Sequence, residues 1–350
     1  MRDTPYLAVD VDLLESNLAR MAAHARHLGV ALRPHAKTHK SPELARRQLA
    51  HGAVGLTVAT VGEAEIFAAH GVNDLFIAYP IWAVGPRAER LRSLASRTRL
   101  RVGVDSLEGL GRLLASRAVV SLAIEVDSGH RRSGVAPDEA AALAYAALDA
   151  GFKVDGVFTY PGHSYAPQRR ASAATDERHA LAVARDGMLE QGIPCPVVSG
   201  GSTPSAEHVV PGVLTELRPG VYPLLDAQQW ELGTTEPESI ALTVHATVVS
   251  TRGSRVIVDA GNKVLGADRL AFATGFGRLP MHPDARIVAL SEHHATIEFS
   301  PGATVPALGD RLHLAPNHVC SAVNLADTLV AVNHDGHEEE WAVAARGANT

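Results

Sequence analysis

Nine residues, Leu32-Arg33-Pro34-His35-Ala36-Lys37-Thr38-His39-Lys40, hold five base-bearing side chains. Pro34 cannot sit inside a helix and biases Arg33 toward extended backbone, so the run reads as a strand end with its loop. Neighbouring positive charge and partial burial disfavour an ammonium ion. A lysine so placed, Lys37, suits Schiff-base chemistry on a carbonyl. A solvated basic loop that binds anions is the competing reading.

Two further loops carry groups that grip phosphate. In Ser199-Gly200-Gly201-Ser202-Thr203-Pro204-Ser205, the glycines let a ligand approach the backbone, and the N–H and hydroxyl groups can donate. Pro219-Gly220-Val221-Tyr222 adds the Gly220 amide and a phenol. A lysine for an aldehyde and two loops for a phosphate together suggest pyridoxal phosphate. A sugar-phosphate enzyme with Lys37 as a phosphate contact is the alternative. A last constellation is Pro316-Asn317-His318-Val319-Cys320. On an extended segment His318 and Cys320 would face the same side and could share one metal ion, with imidazole and thiolate suiting zinc. The bland alternative is a buried cysteine that fills space.

These groups need a scaffold. Short apolar runs at 32–37, 55–60, 75–79, 100–105, 119–126, 156–160, 196–199 and 215–218 alternate with helical segments. That alternation predicts a (β/α)8 TIM-type barrel, whose active site forms at the strand C-terminal ends. Those ends carry Lys37, Thr60, Tyr79, Asp105, Asp127, Tyr160 with His163, Ser199 and Arg218. A doubly wound sheet would want a GxGxxG turn, and none is present. From Ser239 on, β-rich runs follow without a clear helix. We therefore expect a pyridoxal-phosphate-binding barrel over residues 1–235 and a β-rich, metal-binding C-terminal domain over 236–350.

Composition narrows the class. The chain has 350 residues, 46% hydrophobic and 20% charged, so a large core is expected and disorder is not. The net charge of −6 is interleaved, with no nucleic-acid patch and no membrane stripe. No run approaches the ~18 apolar residues of a membrane span. No signal peptide is read at Met1-Arg2-Asp3-Thr4-Pro5, so a cytoplasmic protein is expected. Cys195 and Cys320 form no CxxC pattern, which argues against a disulfide framework.

The motifs run in a recognisable order: Arg33-Pro34-His35-Ala36-Lys37-Thr38-His39-Lys40, Pro161-Gly162-His163-Ser164-Tyr165, Gly200-Gly201-Ser202-Thr203-Pro204, Glu216-Leu217-Arg218-Pro219-Gly220-Val221-Tyr222, Asp259-Ala260-Gly261-Asn262-Lys263, Ser291-Glu292-His293 and Pro316-Asn317-His318-Val319-Cys320. Together they resemble the fold-type III pyridoxal-phosphate enzymes, specifically the D-serine dehydratase and D-threonine aldolase family. The resemblance implies an alanine-racemase-like barrel and a homodimer. It makes Lys37 the Schiff-base lysine and puts Gly201, Ser202, Thr203, Gly220 and Tyr222 around the phosphate, with Tyr160 completing the cofactor site. His163 would face a D-amino-acid substrate. His318 and Cys320 would bind a divalent metal, zinc first, with manganese or magnesium as alternatives. Racemases of this fold use a C-terminal tyrosine as second base, and here no tyrosine follows Tyr222. Aldolases of the family carry a pair more like His-x-Asp and dehydratases His-x-Cys, so a D-serine dehydratase is expected. D-threonine aldolase is the alternative, and a racemase or a non-enzymatic pyridoxal-phosphate carrier stands behind both.

Overall fold

The computed structural model describes residues 2–350. They form two compact units. One comprises Met21–Lys37, Leu44–Gly220 and Gly347–Thr350; the other comprises the residues up to Arg20, Thr38–Glu43 and Val221–Arg346.

The first unit is the expected barrel. Strands Ala31–Leu32, Leu56–Val58, Asp74–Pro80, Arg99–Val104, Ser121–Glu125, Lys153–Phe158, Val197–Gly200 and Glu216–Leu217 make one eight-stranded parallel sheet. The last strand pairs with the first, and a parallel bridge between His35 and Thr57 joins the first to the second. Helices alternate with the strands, and side chains start them: Thr60 Oγ1 accepts the Glu63 N–H at 2.9 Å, and Ser106 Oγ accepts that of Gly109 at 3.2 Å. The first strand is shorter than expected. Pro34 ends its pairing run, and Ala36–Thr38 curls into a 3-10 turn, so Lys37 sits on a turn beyond the strand.

The barrel interior departs from the aliphatic filling usual for this fold. Glu216 on the eighth strand is held by Arg33 at 2.7 Å and by Arg101 at 3.1 Å, and accepts the Ser199 hydroxyl at 2.7 Å. Arg33 also meets Asp74 at 2.6 Å, and Arg101 meets Asp155 at 3.0 Å. Burial alone would raise the Glu216 pKa, but the two guanidiniums outweigh it and hold the carboxyl below its ordinary value. Phe76, Ala123 and Phe158 pack together in the barrel as a separate cluster. Arg101 and Arg218 both lie over the Phe76 ring.

In the second unit one sheet runs Arg286–Leu290, Ala295–Glu298, Arg255–Val258, Leu242–Arg252, Tyr6–Asp10, Thr328–Val332 and Glu338–Ala342. Its neighbours are antiparallel except Tyr6–Asp10 with Thr328–Val332. Arg311–Pro316 pairs with Leu242–Arg252 and with the short strand Gly277–Arg278. The expectation of a helix-free C-terminal region is corrected. Asn262–Leu265 and Val319–Leu325 are helical, both too short for a periodic apolar stripe to reveal them.

Removing one partner of a buried ion pair strands the other charge. Glu216→Ala should therefore cost about 3–5 kcal/mol of stability, read as a lower denaturation midpoint in urea. A change under about 1 kcal/mol would mean that water replaces the carboxylate.

Candidate active site

A cavity of about 510 Å³ opens beside Lys37, lined also by His35, Tyr79, Asp105, Arg132 and Ser133. The Lys37 ammonium and the Arg132 guanidinium both approach the Tyr160 ring, at 5.7 and 5.1 Å from its centroid. Strand ends therefore deliver Tyr79, Asp105 and Tyr160 to the neighbourhood of Lys37, as the barrel rule requires. Arg33 does not join them, because its charge is committed to Glu216 and Asp74.

His163 does not line this cavity. It sits in a 3-10 turn, Gly162–Tyr165, with Nε2 at 3.2 Å from Asp176 Oδ2. A carboxylate only accepts, so the proton is on Nε2. Nδ1 is buried without a partner. The next residue, Ser164, ties this turn to the Gly200–Ser205 loop through its hydroxyl, 2.9 Å from Ser202 Oγ. Ser202 in turn bonds Ser205 at 2.8 Å. The Gly201 amide is not idle, since it donates to Glu177 Oε1 at 2.6 Å. Gly220 and Tyr222 lie on either side of the division between the units, and Tyr222 is buried.

Three features of the barrel fit pyridoxal phosphate: a lysine on a roomy cavity, a loop of buried hydroxyls, and a stranded cation. Arg218 is buried, its terminal nitrogen donates to the Thr159 carbonyl, and its Nε has no partner. Burial lowers its pKa to about 10, against the pull of Glu216, Glu177 and Glu125. A buried unpaired donor is costly, and a ring nitrogen is a fitting acceptor for it.

The second unit holds His318 and Cys320. They do not lie on an extended strand: His318 precedes the helix Val319–Leu325, and Cys320 is in its first turn. Cys320 nevertheless lies close enough to His318 to raise its pKa. Asp268 Oδ2 accepts from His318 Nδ1 at 2.8 Å and from Ser321 Oγ at 2.8 Å. Asp268 thus orients the His318 ring through Nδ1. Cys320 Sγ donates to Thr38 Oγ1 at 3.3 Å, and Thr38 follows Lys37 in the chain. Asp226 Oδ2 accepts the Val319 N–H at 3.1 Å, and Oδ1 that of Gln229 at 2.9 Å. Burial would lower the His318 pKa, but Cys320, Asp226 and Asp268 raise it to about 10. Imidazole nitrogen and cysteine sulfur, with carboxylates beside them, are a donor set that fits a divalent cation. Among the described residues no group of three or more His, Cys, Asp or Glu forms a metal site. Were His318 and Cys320 both ligands, positions would remain for water and substrate.

Sequence reading named Arg218 only as a strand end and missed Asp268, Asp226 and Glu177 as site-supporting groups. Glu177, one of several acids on a long helix, and Asp268, fifty residues before His318, carry no local motif.

The barrel matches the model of the alanine racemase N-terminal domain over residues 9–226, and residues 241–332 match a putative serine dehydratase domain. A D-threonine aldolase of Arthrobacter sp is 37% identical over 99% of this chain and 93% of its own length. A D-threo-3-hydroxyaspartate dehydratase of Delftia sp. (strain HT23) is 33% identical over 97% of this chain and 96% of its own length. Its solved structure superposes with a TM-score of 0.91 at 32% identity, covering 98% of this chain and 97% of that one. That dehydratase has also been solved as a histidine-to-alanine mutant and as a cysteine-to-alanine mutant in the metal-free form, the two positions being two residues apart. The class is thus that of fold-type III pyridoxal-phosphate enzymes. Within it, the chain belongs to the family of pyridoxal-phosphate-dependent D-amino-acid lyases that holds these aldolases and dehydratases.

If Asp268 fixes the His318 tautomer, Asp268→Asn should lower divalent-metal affinity by about 10–100-fold. Titration of zinc or manganese into chelator-treated protein reads it. An unchanged affinity would remove Asp268 from the site.

Proposed function

We propose that this protein is a pyridoxal-phosphate- and divalent-metal-dependent lyase for β-hydroxy D-amino acids, of the D-serine dehydratase type, working in the cytoplasm as a homodimer. The observation that carries the reading is the His318-Val319-Cys320 pair with its orienting Asp268. Its spacing is that of the two residues mutated in the metal-linked dehydratase structures.

Lys37 Nζ holds the cofactor and is the base that takes the substrate Cα proton. Gly201, Ser202, Thr203, Gly220 and Tyr222 serve the phosphate, and Tyr160 supports Lys37. When bound, the cofactor supplies an electron sink for the charge left at Cα. A divalent metal on His318 and Cys320 supplies a Lewis acid that makes the β-hydroxyl a better leaving group; zinc is our first choice. Arg132, on the cavity wall with Lys37, takes the substrate carboxylate. Loss of water from D-serine then leads to pyruvate and ammonia.

A second reading, D-threonine aldolase, is favoured by the 37% identity to the Arthrobacter enzyme. There His163 takes the β-hydroxyl proton, and the Cα–Cβ bond breaks to give glycine and acetaldehyde.

Purified, cofactor-loaded protein with zinc or manganese should release a 2-oxo acid and ammonia from D-serine or D-threo-3-hydroxyaspartate. Glycine and acetaldehyde from D-threonine would instead establish the aldolase. Lys37→Ala should lose the visible absorbance of lysine-held cofactor, and full colour in that variant would sink its assignment. His318→Ala should keep the colour and lose turnover, whereas undiminished turnover after thorough metal removal would refute the metal's role.

A further inference from the structure

Beneath the Gly200–Ser205 loop lies a carboxyl group that the reaction above does not use. Glu177, on the helix Arg170–Glu190, is 0% exposed. Its Oε1 accepts the Gly201 N–H at 2.6 Å. A Cβ on Gly200 would fall 2.4 Å from that same oxygen, so loop and carboxyl are packed to contact. Gly201 holds φ at +86°, a left-handed conformation that the Glu177 hydrogen bond helps to fix. The other oxygen, Oε2, is buried without a partner.

A carboxylate with one bare oxygen in such a place is far more costly than a neutral acid. Burial accordingly pushes the Glu177 pKa up to about 7, against the Gly201 N–H and the charge of Arg218 from the end of the eighth strand. A neutral acid has a second merit here. It anchors the loop from behind without setting a negative charge against an incoming phosphate.

We propose that Glu177 is a positioning residue for the phosphate loop, holding the Gly201 amide and the loop's turn through its Oε1 acceptor. This rests on the reading that the loop holds the cofactor's phosphate. The role needs shape and an acceptor oxygen but no charge, so glutamine should supply it and alanine should not.

The test compares the affinity of apoprotein for pyridoxal phosphate and for phosphate-free pyridoxal, followed by absorbance. Wild type should prefer pyridoxal phosphate. Glu177→Gln should keep that preference within about twofold. Glu177→Ala should weaken pyridoxal phosphate about tenfold, the equivalent of one lost buried hydrogen bond, and leave pyridoxal unchanged. The inference is overturned if Glu177→Gln loses as much as alanine, if Glu177→Ala loses nothing, or if both ligands weaken equally. Thermal melts of the apoproteins check folding. Should the alanine variant unfold, Glu177→Gln still decides, since a loss of preference there means the charge is required. A wild type that does not distinguish the two ligands would overturn the reading of the loop, and this inference with it.

Discussion

The salt link between Arg33 and Glu216 is the constraint on which the rest of the barrel depends. It spans the seam where the first strand meets the eighth. The backbone reinforces it, with the Arg33 N–H donating to Leu217 O at 2.9 Å and the His35 N–H to Pro219 O at 3.0 Å. Lys37 lies four residues beyond Arg33, and Arg218 two beyond Glu216. The same lock therefore sets where Lys37 and the Arg218 guanidinium emerge. An apolar seam would pack as well, but it would tolerate a slip in register. A buried ion pair does not, because a slip leaves both charges bare.

Above the seam the structure keeps charges waiting for partners. Arg218 is less basic than usual because it is buried, and Glu177 and Glu125 are less acidic for the same reason. Each would be relieved by a complementary group: an acceptor for the guanidinium, a proton or a donor for the acids. Around His318 the imbalance has the opposite sign. Thiol and carboxylates crowd an imidazole and raise its affinity for a proton, the simplest cation available. Sites of this kind are less stable than a neutral core, and function is the usual reason a fold retains them.

Much of this was legible in the residues. The eight strand runs were visible because buried parallel strands are nearly continuous apolar segments, and each expected helix lay within a few residues of an observed one. Lys37, Tyr160 and the Gly200–Ser205 loop were found because barrel chemistry gathers at strand ends. What was hidden has physical reasons. Pro34 and the turn after it were legible, but not that Arg33 would be drawn into the interior, since its partner lies 183 residues away. The helix that carries Cys320 is too short to show a period. Glu177 looked like any helix acid because nothing nearby in sequence says which face is turned to the sheet. The strand Tyr6–Asp10 has sheet partners near 244 and 330 that leave no local trace in the sequence.

That strand has a consequence for how the chain comes to be folded. Tyr6–Asp10 sits in mid-sheet between Leu242–Arg252 and Thr328–Val332, so its second edge stays bare until residues near 330 exist. The barrel unit also takes a late segment, with the Thr60 hydroxyl bonded to Ala348 O and the Gly62 N–H to Thr350 O. During synthesis, then, the earliest strand emerges from the ribosome hundreds of residues ahead of its mates. It must wait as an unpaired edge, the kind of element that invites wrong pairing. Such long-range closures make for slow assembly. Both units thus tie early residues to the last stretch of the chain, and neither makes all its pairings until residues 328–350 are present.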